Sequence, residues 1–134
     1  MAKIVPTDLI SPHELPDQNF PFVLTTGRLL EHWHTGAMTR RSNTLDNIEP
    51  EAIVNMNRLD MKNLKLEPGN KVQVKTRRGS IELSVRQDTE LPKGMIFIPF
   101  CFSEAAANKL TNPQLDPFGK IPEFKYCAAN IEAC

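Results

Sequence analysis

The sequence has no apolar run near the roughly 18 residues of a membrane span, no Cys-x-x-Cys pair, and no excess charge, with sixteen Lys and Arg against sixteen Asp and Glu. Each absence removes a class of function. Without a long apolar run, and without a basic N-terminal region followed by an apolar one, neither membrane insertion nor secretion is expected, and the cytoplasm is the simplest location. The three cysteines, Cys101, Cys127 and Cys134, are odd in number and widely spaced, which disfavours a zinc or iron-sulfur site and reads as reduced thiols. Charge balance and a single tryptophan, Trp33, argue against a nucleic-acid or membrane surface as the main partner.

What is present has globular proportions. A chain of 134 residues, 40% hydrophobic and 24% charged, is the size of one domain with one core. Residues 1–19 carry Pro6, Pro12 and Pro16 and little periodicity, so they read as a flexible leader, with the fold starting at Phe20 and running to residue 134. Short apolar runs at Phe20–Thr25, Ala52–Met56 and Met95–Phe100 suit buried strands, and residues 41–50 have loop composition. Asn57 can cap a short helix, with Asp60 near its positive end and Leu59, Leu64 and Leu66 spaced for one buried face. Pro68 and Gly69 fit the centre of a type II turn. Val72 and Val74 alternate before "TRRGS", and Ile81, Leu83 and Val85 after it, which makes a hairpin near Gly79. A second helix is expected from Ser103 through "EAAANKL", with Asn108 late on it, then a structured loop at 111–124 and a last strand at Tyr126–Ile131. Six short strands and two small helices describe a mainly β barrel with short peripheral helices.

Chemistry concentrates in "TGRLLEHWHTGAMTRR", residues 26–41, directly after the first strand. Thr26 offers a hydroxyl, Gly27 a backbone that other groups can approach, and Arg28 a planar fork of donors, a combination suited to phosphate or a flat heterocycle. His32 and His34 could donate to such a ligand, with Trp33 facing the other way if the segment is extended. Two imidazoles at i and i+2 could instead share a metal ion, but a third ligand is wanting, since His13 lies in the leader. The plain alternative has Trp33 in the core and the histidines as polar bystanders.

Three segments together, "LTTGRLLEHWHTGAMTRR", "GMIFIPFCFSEAAANKLTN" and "KIPEFKYCAANIE", resemble, in the same order, the C-terminal dinucleotide-binding domain of the large subunit of molybdenum or tungsten bis-pterin enzymes. Formate dehydrogenases and the related nitrate reductases are the nearest branches, and the resemblance runs from about Phe20 to Glu132. It implies a six-stranded double-psi β-barrel, like that of aspartate decarboxylase, whose loops clamp molybdopterin guanine dinucleotide. By position it implies a principal cofactor loop of Thr26, Gly27, Arg28, Leu29, Leu30, Glu31, His32, Trp33, His34 and Thr35, extended by Gly36, Met38, Thr39 and Arg40. It further implies that Asn108 and Lys125 bind cofactor and that Phe100 faces the substrate funnel. Each has a plainer account: Phe100 as core, Asn108 as a helix C-cap, Lys125 as a solvated charge.

The metal ligand, catalytic residues and cluster cysteines of that family belong to other domains. The resemblance therefore implies that molybdenum or tungsten is held by another domain or subunit, and that this chain is not catalytic alone. A small subunit of a split enzyme, as in formylmethanofuran dehydrogenases, fits as well as a piece of a formate dehydrogenase large subunit, and "EHWHTGAMTRR" favours the formate type. Two further alternatives remain. Aspartate decarboxylase cleaves itself at a Gly-Ser bond, and Gly79-Ser80 is such a pair, although Gly-Ser is also an ordinary turn. "TRR" at 39–41 and "KTRRG" at 75–79 could be nucleic-acid contacts.

Overall fold

The computed structural model describes residues 2–134 and contains six strands: Phe22–Gly27 (β1), Ile53–Met56 (β2), Lys71–Thr76 (β3), Gly79–Gln87 (β4), Met95–Pro99 (β5) and Cys127–Ala133 (β6). They close into a barrel in the order β1-β5-β2-β4-β3-β6, with β6 returning antiparallel to β1. Strands β1 and β5 are parallel, with Val23 opposite Met95 and Gly27 opposite Pro99. So are β2 and β4, while the remaining pairs are antiparallel. Period-2 alternation puts Leu24, Val54, Met56, Val72, Val74, Leu83, Val85, Ile96 and Ile98 inside, all buried. Each such side chain contributes about 1.5–3 kcal/mol of apolar burial. The expected mainly β, six-stranded barrel is thus present, and β5, apolar on both faces, sits between β1 and β2.

Strand directions give the barrel two distinct ends. One gathers the C-terminal ends of β1 and β5, the Arg77-Arg78 turn of the β3–β4 hairpin and the start of β6. The other holds the short helix Arg58–Asn63 and the C-terminal end of β4. That helix is capped as expected: the Asn57 side chain accepts from the Leu59 N–H at 2.8 Å, while its amide donates to Leu91 O at 2.7 Å. The Pro68-Gly69 turn also forms, closed by Asn70 N–H to Glu67 O at 3.0 Å, with Gly69 at φ +89°.

Three local expectations are corrected. Residues 41–50 are not all loop: Asn43–Ile48 form a helix (α1, making Arg58–Asn63 α2), which buries no residue and so carries no apolar periodicity to read. The helix expected from Ser103 is reduced to a single 3-10 turn at Ala107–Lys109. The Ser103 hydroxyl turns to the Glu104 carboxylate, and Ala105, Ala107 and Leu110 are drawn into the core. On α2 the buried side chains are Asp60 and Met61, with Leu66 beyond, whereas Leu59 and Leu64 are exposed, because Asp60 is held inside by the Gly94 N–H at 2.7 Å. The expected leader begins at Met1, outside the described residues. From Ala2 to Pro21 no helix or strand forms, yet Glu14 and Asp17 pair with Arg77 and Arg78.

Candidate functional site

At the β1/β5 end lies a cavity of about 650 Å³ lined by Thr26, Arg28, His34, Thr35, Phe100, Asn108, Phe124 and Lys125. These residues come from three stretches far apart in sequence. The first leaves β1, the second follows β5, and the third precedes β6; parallel pairing of β1 with β5 brings the first two together.

Two bonds tie the third stretch to the first. The Thr26 hydroxyl donates to Phe124 O at 2.8 Å, and the Lys125 ammonium donates to Thr26 O. The Lys125 ammonium has three protons, so two remain for a ligand. Arg28 enters no ion pair among the described residues, and both Arg28 and Asn108 are exposed. The result is a concave surface carrying a guanidinium, an ammonium, an amide, a hydroxyl and an imidazole, backed by two aromatic rings. Such a surface suits a ligand that is part anion and part flat heterocycle.

The segment from Arg28 to Met38 is not extended, because it reverses at His34 (φ +49°) and Gly36 (φ +75°). The Gly36 N–H closes the turn on Trp33 O at 2.9 Å. A side chain at Gly36 would bring its Cβ to 2.8 Å from Cys101 O, so the position needs glycine for both conformation and space. The reversal separates the residues expected to act together.

His34 and Thr35 face the cavity, whereas His32 is buried at 1% exposure. Its Nε2 donates to Glu49 O at 2.9 Å, and its Nδ1 shares a hydrogen bond with the Thr39 hydroxyl at 3.3 Å. That hydroxyl in turn accepts from the Trp33 N–H at 3.0 Å. His32 thus pins the loop to the residue after α1. Both of its nitrogens are engaged, and among the described residues no three metal-ligating side chains gather.

Leu29, Leu30, Glu31, His32 and Trp33 border a second, smaller hollow with Arg28 and His34. Trp33 is 62% exposed, which corrects the plain reading of it as core; it stands edge-on to His34, with ring centroids 4.6 Å apart. Met38 is exposed, and Arg40 is engaged elsewhere. Its guanidinium pairs with Glu104 at 2.7 Å and Asp46 at 3.1 Å and lies over the Phe102 ring.

Phe100 lines the cavity and also packs against the core. The adjacent Cys101 thiol is pushed up to about 11 by burial, partly opposed by its own backbone amide and by the Arg40 charge, so it stays protonated at neutral pH. All three cysteines are free. Phe124 is the lining residue that sequence reasoning missed; an aromatic beside Lys125 in a proline-rich loop was its only signal.

The alternatives are also placed. Gly79 and Ser80 lie within β4, opposite Thr76 and Lys75. Lys75, Arg77 and Arg78 are paired with Glu132, Asp17 and Glu14.

A sequence profile described as "Molydopterin dinucleotide binding domain" matches residues 22–128. "F420-dependent formate dehydrogenase subunit alpha" of Methanocaldococcus jannaschii is 47% identical over 131 residues, covering 98% of this chain and 20% of that protein. Two such alpha subunits of Methanococcus maripaludis are 41% and 39% identical over 132 residues, again 98% of this chain and 20% of each relative. The chain thus spans about a fifth of the length of these relatives. Among solved structures, acetylene hydratase from Pelobacter acetylenicus superposes with a TM-score of 0.77 at 20% identity, over 86% of this chain and 18% of that one, a likeness of fold.

Proposed function

The chain belongs to the molydopterin dinucleotide binding domain family, and from that premise we propose that it forms one wall of the cofactor site in an oxidoreductase of the formate dehydrogenase alpha-subunit type. The observation that carries this reading is the convergence of Arg28, Asn108 and Lys125, from three separate segments, on one cavity.

The cavity fits the organic part of molybdopterin guanine dinucleotide. Arg28 and Lys125 would offset phosphate charge, and Asn108, with both a donor and an acceptor, matches the alternating polar edge of a pterin or guanine. Phe100 and Phe124 would give the flat rings an apolar face. When bound, the cofactor supplies the redox-active molybdenum or tungsten, which another domain or subunit would hold. This chain's share is to grip and orient.

A cavity of about 650 Å³ at the surface covers one side only of so large a group. The exposed apolar side chains Trp33, Met38, Phe118 and Ile121 suit burial beneath further polypeptide of the same enzyme. Formate is favoured over nitrate or formylmethanofuran because three curated relatives are formate dehydrogenase subunits. Cytoplasmic residence accompanies the reading, supported by free thiols and by the absence, among the described residues, of a helix long and apolar enough to cross a membrane.

Co-purification with the polypeptides that complete the enzyme, followed by assay of bound metal and released guanine nucleotide, tests the proposal. Arg28→Ala and Asn108→Ala should each lower retained nucleotide by about tenfold, the size of one lost charged or bidentate contact, with an unchanged melting temperature. Normal retention in both variants would refute the assignment.

A further inference from the structure

We propose that Glu14 and Arg78 are positioning residues for the cofactor site, joining the segment that carries Asn108 to the segment that carries Lys125. The inference rests on the proposed function above and goes beyond it, because neither side chain lines the cavity.

Arg78, in the turn of the β3–β4 hairpin, lies between the two segments and bonds on both sides. Its Nε and Nη2 donate to Leu110 O at 3.1 and 2.8 Å, and the Thr76 hydroxyl donates to the same carbonyl at 2.9 Å. Leu110 is fully buried and closes the 3-10 turn that holds Asn108, its N–H donating to Ala107 O at 2.9 Å. The Cys127 thiol adds a weaker contact at 3.7 Å, so the position of Asn108 is set two residues away by a carbonyl that four donors fix.

On its other side the Arg78 fork meets both oxygens of Glu14, with Nη2 to Oε1 at 3.1 Å and Nη1 to Oε2. Glu14 Oε1 also accepts the Ala128 N–H at 2.7 Å, at the start of β6 and three residues after Lys125. The two side chains are 22% and 12% exposed, which limits screening by solvent. Burial alone would raise the Glu14 carboxyl, but hydrogen bonds from Arg78 and the Ala128 N–H, with the Arg78 and Arg77 charges, more than offset it and hold it below its ordinary range. The relay therefore runs Asn108 turn, Leu110 carbonyl, Arg78, Glu14, Ala128 amide, Lys125 loop.

Asp17 supplies a built-in contrast. It also straps the N-terminal segment, through Arg77, but it bonds to neither cofactor segment. If Glu14 merely fastened that segment, Asp17→Asn would act like Glu14→Gln.

The experiment measures guanine-nucleotide dissociation from the loaded, complete enzyme alongside melting temperature, for Arg78→Lys, Glu14→Gln, Asp17→Asn, Asn108→Ala and the double variant Arg78→Lys/Asn108→Ala. Lysine keeps the charge but lacks the fork that spans Leu110 and Glu14. Arg78→Lys should speed dissociation about tenfold, the scale for a lost charged hydrogen-bond pair. Asp17→Asn should leave the rate unchanged. In the Asn108→Ala background Arg78→Lys should add less than about threefold, because residues acting through one another are non-additive. If Arg78→Lys melts below the assay temperature, Glu14→Gln runs the same comparison through the same contacts. Full additivity, or normal dissociation from Arg78→Lys while Asn108→Ala releases nucleotide, would overturn the positioning role and leave the cofactor site standing. Normal dissociation from Asn108→Ala itself would overturn both.

Discussion

At the level of single residues, Gly27 shows how a backbone position can shape the site through the space it leaves. It ends β1 beside the parallel strand β5, and a Cβ added there would lie 2.4 Å from Cε2 of Phe97 and 2.8 Å from its Cζ. The requirement is space, because the Phe97 ring fills the volume a side chain would need. Gly27→Ala should therefore destabilise the chain by about 1–3 kcal/mol, the usual cost of overpacking, and Phe97→Leu in the same chain should recover most of the loss. Urea denaturation reads both, and an unchanged midpoint in Gly27→Ala would show that the ring moves freely.

The sequence made Gly27 visible as part of a ligand loop, but its Phe97 partner is 70 residues away and could not be read. His32 is similar. Its residue type suggested a donor to ligand or metal, yet its partners, Glu49 O and the Thr39 hydroxyl, depend on where α1 begins and ends. Arg28 stood out by its own chemistry after a strand end, whereas Asn108 and Lys125 were found only because three segments together resembled a known family.

At the level of elements, the strands were legible either as short apolar runs, as in β1, β2 and β5, or by period-2 alternation with one face inward, as in β3 and β4. Val72 and Val74 in β3, and Ile81, Leu83 and Val85 in β4, needed no further information. Helices were less legible. Alanine-rich propensity from Ser103 lost to tertiary packing, since the helix would compete with the Arg78 and Thr76 donors for Leu110 O and withdraw Ala105 and Ala107 from the core. The N-terminal strap was the least legible, because nothing local tells Glu14 to turn toward a hairpin more than 60 residues away.

The strap has a pH signature. The Glu14 carboxyl is held below its ordinary 4.5, so its stabilising contribution is complete above that value and lost as pH falls through the lower folded value. The melting-temperature gap between the unmodified chain and Glu14→Gln should stay constant at neutral pH and shrink below about pH 4.5. A gap that persisted to strongly acidic pH would mean that the carboxylate charge is not what holds the strap.

At the level of the whole molecule, the closed barrel removes exposed sheet edges and leaves two ends for other tasks. The parallel pairing of β1 and β5 puts two loop exits side by side, and the antiparallel return of β6 adds a third. Cations and amides distant in sequence become one surface for that reason. The central claim is that this surface faces the pterin dinucleotide inside a larger enzyme. The most direct measurement is an electron-density or cryo-EM map of the assembled, cofactor-loaded enzyme. The account predicts dinucleotide density against Arg28, Thr35, Asn108 and Lys125 at the β1/β5 end of the barrel, with another part of the enzyme closing over it. Density at the α2 end, or a cavity at the β1/β5 end filled by protein alone, would contradict it.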